Sequence, residues 1–162
     1  VLNLKKKLQK RLDKAARILF LGVGSELRGD DAAGMILAQN LKTRLRGRTD
    51  RRIRVLLGGT APENLTGPIK RFRPSHLVIL DAADIGKRPG EAVLIELGNV
   101  NDATFGTHVL SMDILVKYIR ETVPVEAFLL GIQPLSLEFG RPLTPRVASS
   151  IEKLAALLAE VL

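Results

Sequence analysis

Apolar residues follow two distinct periods along the chain. Leu4, Leu8, Leu12 and Ala15 recur every three or four positions among lysines and arginines, which predicts an amphipathic helix over residues 3–15. The stretch RILFLGV (17–23) is continuously apolar and ends in glycines, as a strand buried on both faces does. Three similar runs follow: IRVLLGG (53–59), HLVILDAA (76–83) and EAFLLGIQP (126–134). A shorter strand is predicted at EAVLIEL (91–97). Between the strands lie helical patterns. One is DAAGMILAQNLKTRL (31–45), whose acidic start suits the positive end of a helix dipole. Another is a short helix over 62–72, interrupted at Gly67 and Pro68, and a third spans 109–121 with Leu110, Ile114, Leu115 and Ile119 inward. The last begins at Thr144, an N-cap before Pro145, and turns Val147, Ile151, Leu154, Leu158 and Val161 inward.

The order βαβαβ implies parallel strands with helices on both faces of the sheet. Only about eight residues, DIGKRPG and its flank, join the third strand to the fourth. A parallel crossover needs a dozen or more, so the fourth strand runs antiparallel. The expected architecture is one α/β domain over residues 1–162, a three-layer α/β/α arrangement around a mixed, mostly parallel sheet of about five strands, with the basic helix 1–16 as an addition. No internal repeat or low-complexity segment divides the chain.

A 162-residue chain that is 46 % hydrophobic is long enough to bury a core without staples. With no cysteine, disulfide scaffolds, thiol nucleophiles and cysteine metal sites are excluded. No run approaches the roughly 20 apolar residues of a membrane span, so a cytoplasmic protein without membrane insertion is expected. The net charge of +8 raises nucleic acid as a partner, but its distribution argues against one. Residues 1–17 and 41–54 each hold seven Lys/Arg and one Asp, and the remainder of the chain is net acidic. No aromatic residue interleaves with the Arg run to stack on bases.

The loop GVGSELRGDDAAG (22–34) opens like a nucleotide-binding turn but lacks the third glycine of G-x-G-x-x-G, and the second strand lacks the acidic ribose ligand. Asp30 and Asp31 would repel a phosphate. In a parallel sheet ligands bind beyond the carboxyl ends of the strands. Asp31 follows the first strand and Asp81 closes the third, so both are expected at that edge, beside GGTAPEN (58–64). The long loop before His108 has the reach to return there. Two carboxylates and an imidazole form a three-ligand set with open positions, suited to a divalent transition metal that also binds something else. Asp30 is read as a helix cap, and His76, at the start of a strand, as solvent-facing or capping.

These segments resemble the hydrogenase maturation endopeptidases, which trim the C-terminus of [NiFe]-hydrogenase large subunits. GVGSELRGDDAAG, GGTAPEN, LDAADIGKRPGE, THVLSM and GIQP occur in the family's order over residues 17–162, and the last four are most similar to the branch serving formate-hydrogenlyase-type hydrogenases. The resemblance implies a cytoplasmic peptidase of aspartic or metal-assisted type, whose metal-contacting and catalytic trio falls on Asp31, Asp81 and His108. It further implies a precursor large subunit as substrate, with nickel delivered by that substrate as the recognition element, although other divalent metals could occupy the site in isolation. Gly22, Gly24, Gly58, Gly59 and Thr60 fall on the family's site loops. Ser25 replaces a usual Asn, Leu57 stands where many members carry Asp, and helix 3–15 has no obvious counterpart. A non-enzymatic nickel-binding maturation chaperone on the same fold is the alternative; a nucleotide-dependent enzyme is a distant third.

Overall fold

A computed structural model describes residues 2–98 and 107–162. Helix α1 (Leu2–Leu12) precedes strand β1 (Ile18–Val23), helix α2 (Ala33–Arg44), strand β2 (Ile53–Gly59) and helix α3 (Thr66–Phe72). Strand β3 (His76–Ala82), strand β4 (Ala92–Glu96), helix α4 (Thr107–Arg120), strand β5 (Glu126–Ile132) and helix α5 (Pro145–Val161) complete the chain. The five strands form one sheet in the order β2-β1-β3-β5-β4. β2, β1, β3 and β5 are parallel, with Ile18 opposite both Ile53 and His76, and His76 opposite Glu126. β4 is antiparallel, as the short connection requires, but it pairs with β5, which the chain inserts between β3 and β4. Burial explains the insertion. β5 is buried at every residue after the first, whereas β4 is half-buried and suits an edge.

Strand alternation sends side chains to two cores. Phe20, Val78, Leu80, Phe128 and Leu130 face α2, α5 and the underside of α1. Leu19, Leu21, Leu77, Ile79 and Leu129 face α3 and α4. Helix α1 contributes Leu8 and Leu12 to the first core and is tied down by ion pairs of Lys5 with Glu160 and of Arg11 with Glu96 and Glu126. Arg11 also lies 4.7 Å above the Phe128 ring. Part of the basic excess of residues 1–17 is therefore spent on intramolecular pairs. Among the described residues no helix is long and apolar enough to cross a membrane.

Three local expectations change. Residues 29–32 form a 3-10 turn before α2. Residues 62–65 form another before α3, so Pro68 falls in the first turn of α3, where its missing N–H costs nothing, and does not interrupt a helix. In α4 the inward stripe is Val109, Met112, Leu115, Val116 and Ile119, while Leu110 and Ile114 are 49 % and 61 % exposed. The helix has two candidate apolar stripes, and the sheet covers only one of them.

Candidate functional site

The chain leaves β1 toward β2 on one side and later returns to β3 on the other. The carboxyl ends of β1 and β3 thus flank a topological switch point, where an open parallel sheet has a crevice. Asp31 follows β1 through the 3-10 turn and Asp81 lies in the last turn of pleat of β3. The backbone there is packed so closely that only glycine fits. A Cβ on Gly34 would lie 2.0 Å from the Leu80 carbonyl oxygen and 2.5 Å from that of Val23. Gly24, at φ 124°, would carry a Cβ 1.9 Å from the carbonyl oxygen of Asp31 and 3.7 Å from Asp81 Oδ1. Both carboxylate-bearing residues therefore border the same glycine. The start of α2 is driven into the gap between β1 and β3, bringing the segment after Asp31 against the strand that ends in Asp81.

The two carboxylates have unequal surroundings. Asp31 is half-buried, and its Oδ2 accepts a hydrogen bond of 2.8 Å from the Ser25 amide. Asp81 is 2 % exposed, and its Oδ1 is buried without a hydrogen-bond partner among the described residues. Burial, reinforced by the charge of Asp31 and opposed by the Ala82 amide, pushes the Asp81 carboxyl up to about 7. Near neutrality one acid of the pair is thus held close to its midpoint beside a second carboxylate.

Asp30 has a different task from the capping role its position predicts. Fully buried, it accepts from the amides of Leu135, Ser136 and Thr144 at 2.8, 3.2 and 2.7 Å, and from the Thr144 hydroxyl. It fastens the segment between β5 and α5 to the turn that carries Asp31. The Thr144 hydroxyl is consequently committed to Asp30, and α5 has no side-chain cap bond. Gln133 performs a similar task at the end of β5. Its Oε1 accepts from the Ile85 and Lys87 amides, and its Nε2 donates to Asp84 and to the Pro134 carbonyl, which fixes the loop leaving Asp81.

The remaining loop residues divide. Gly22 lies inside β1, where a Cβ would stand 2.5 Å from that of Ala38, so it serves helix–sheet contact. Gly58 is the extra residue where the register jumps from Gly22↔Leu57 to Val23↔Gly59, a bulge that turns the end of β2. Gly59, at φ 56°, accepts from the Gly24 amide, and the adjoining Thr60 is exposed at the same edge. His108 belongs to the first turn of α4; its side chain lies outside the described residues. A short connection joins Arg120 to the amino end of β5, so a 14-residue helix rising about 1.5 Å per residue brings its start toward the carboxyl edge. Among the described residues no group of three His, Cys, Asp or Glu side chains is arranged to hold a metal. His76 is 8 % exposed rather than solvent-facing, held between Ser75 Oγ at 3.0 Å and Glu126 Oε2 at 3.2 Å at the opposite, amino end of β3. Periodicity gave no sign of Gly34, Asp30 or Gln133 as organisers of this edge, because each acts on backbone distant in sequence.

The chain is similar along nearly its whole length to known proteins. A protein of Methanocaldococcus jannaschii described as a hydrogenase maturation protease is 30 % identical, with 98 % of this chain and 96 % of that one covered. The hydrogenase 3 maturation protease of Escherichia coli K12 is 33 % identical, with 83 % of each chain covered. The crystal structure of the [NiFe] hydrogenase maturation protease HycI from Thermococcus kodakarensis KOD1 superposes with a TM-score of 0.88 at 30 % identity, covering 96 % of this chain and 97 % of that one. Coverage this wide takes in part of α1. The family model for hydrogenase maturation proteases matches residues 35–161. With this sheet order, the glycine-packed switch point and these relatives, the chain belongs to the hydrogenase maturation protease family, a family of peptidases.

Proposed function

We propose that the protein is an endopeptidase that removes the C-terminal extension of a [NiFe]-hydrogenase large-subunit precursor, with Asp31, Asp81 and His108 as the site and nickel carried by the substrate as the recognition element. The observation that carries the reading is Asp81, a buried carboxylate whose Oδ1 has no donor among the described residues and which lies beside a second carboxylate at the switch-point edge. Structural carboxylates at such depth are saturated with donors, as Asp30 is. Asp81 instead keeps an acceptor atom in reserve, which fits a cation or an acidic proton as its missing partner.

A divalent metal presented by the precursor would supply charge stabilisation at the scissile carbonyl and lower the pKa of an attacking water. The chain's own residues supply the rest. Asp31, held by the Ser25 amide, is the carboxylate available to take a proton from water. Asp81, close to its midpoint near neutrality in the free protein, gives up its remaining proton when a cation approaches, since a positive charge reverses the cost of ionisation. In this reading His108 closes the set from α4. Thr60, exposed at the bulged end of β2, lies on the edge along which the substrate chain would pass, and Gly59 holds that edge to β1 through the Gly24 amide.

The reading is tested by incubating the protein with nickel-loaded and nickel-free precursor and following the small loss of mass. Cleavage of the loaded form alone is expected, and Asp31→Asn, Asp81→Asn and His108→Ala should each lower the rate by at least about a hundredfold. Equal cleavage of nickel-free precursor would exclude nickel recognition. Binding of loaded precursor without mass loss would favour the chaperone.

A further inference from the structure

Large apolar side chains stand exposed on two loops that lie against each other beside the carboxylates. Leu27 is 64 % exposed, Leu135 62 %, Leu137 44 % and Phe139 73 %. The loops are cross-tied through backbone bonds: the Gly29 amide to the Arg141 carbonyl, the Asp30 amide to that of Ser136, and the Gly140 amide to that of Leu27. The buried Asp30 carboxylate locks the arrangement from below. A Cβ on Gly29 would lie 2.6 Å from the Ser136 carbonyl oxygen, so the contact is as tight as those inside the site. The apolar ridge is therefore built and held, at the cost of exposing four side chains to water.

We propose that this ridge docks the folded body of the precursor protein whose extension the site removes; the inference rests on the function proposed above. Its continuity with the site is direct, since Leu27 lies between Ser25, which holds Asp31, and Asp30, which holds the loop bearing Leu135, Leu137 and Phe139. That continuity points to the precursor, and the exposure of the four side chains points to its folded body. Protruding side chains on cross-tied loops fill a recess in a folded partner, whereas an extended tail needs a groove or a free strand edge. A dock placed this way fixes the precursor so that its tail crosses the carboxyl edge, and its contacts are equal before and during bond cleavage. Losing them changes affinity without changing the chemical step.

The test uses the full chain and nickel-loaded precursor. In the variant Leu135→Ser/Phe139→Ser, KM should rise roughly tenfold or more while kcat stays within about twofold. A photo-crosslinking benzoylphenylalanine in place of Leu135 should attach to the body of the precursor and still do so when the C-terminal extension is deleted. Unchanged KM, crosslinking that needs the extension, crosslinking to a second copy of the protease, or no crosslink would each overturn the dock while leaving the proposed function in place. Wild-type protein that fails to cut the precursor would overturn both.

Discussion

Asp30 and Asp31 are neighbours in sequence and differ in everything the fold does with them. Asp30 is saturated by donors from residues 135–144, and Asp31 accepts from the Ser25 amide at the edge of the crevice. Asp30→Ala would leave three amides without their acceptor. The expected loss is about 3 kcal/mol of stability, read by denaturant unfolding, with faster hydrogen exchange at Leu135, Ser136 and Thr144. Asp81 makes the opposite prediction. Its folded-state carboxyl, at about 7, lies above the unfolded value of roughly 4, so the folded chain binds the proton more tightly. Stability from this group is intact below about pH 4 and is lost as pH rises through about 7. In metal-free protein Asp81→Asn should therefore be near neutral at about pH 4 and stabilising by up to about 4 kcal/mol above about pH 8. Melting temperatures across that range check the sign, and on the function proposed above the same variant should lose activity, as a site that gives up stability for function does.

At the scale of elements, the site depends on how far the start of α2 penetrates between two strands. Gly34 is the residue that permits it, and Gly34→Ala should cost about 3 kcal/mol or more, because the obstacle is strand backbone from both β1 and β3. Activity should fall further than stability, since α2 would retreat and carry Asp31 away from Asp81; intrinsic fluorescence is unsuited to a chain without Trp, so circular dichroism melts serve. Strands, helices and their order were legible in the sequence because apolar runs and 3.6-residue stripes mark which faces are buried. In α4 the expected stripe holds for Leu115 and Ile119 but not for Leu110 and Ile114, which have the correct spacing; spacing alone does not say which of two stripes meets the sheet.

Across the whole molecule, α1 links the N-terminal segment to α5 and the β4 edge. Leu8 is fully buried there, and Leu8→Ala should destabilise the protein by about 3 kcal/mol without altering the site, measurable as a lower unfolding midpoint at unchanged specific activity of the folded fraction. The α/β class, the strand directions and the placement of Asp31 just after one parallel strand and Asp81 at the end of another were legible in the sequence, since they follow from local periodicity and from connection length. Packing alone settled that β5 lies between β3 and β4, that Asp30 anchors a loop more than a hundred residues away, and that Asp81 Oδ1 is buried with no donor among the described residues. Those features arise from competition among distant segments for burial and for hydrogen-bond partners, and such competition is resolved only when all the segments are packed together.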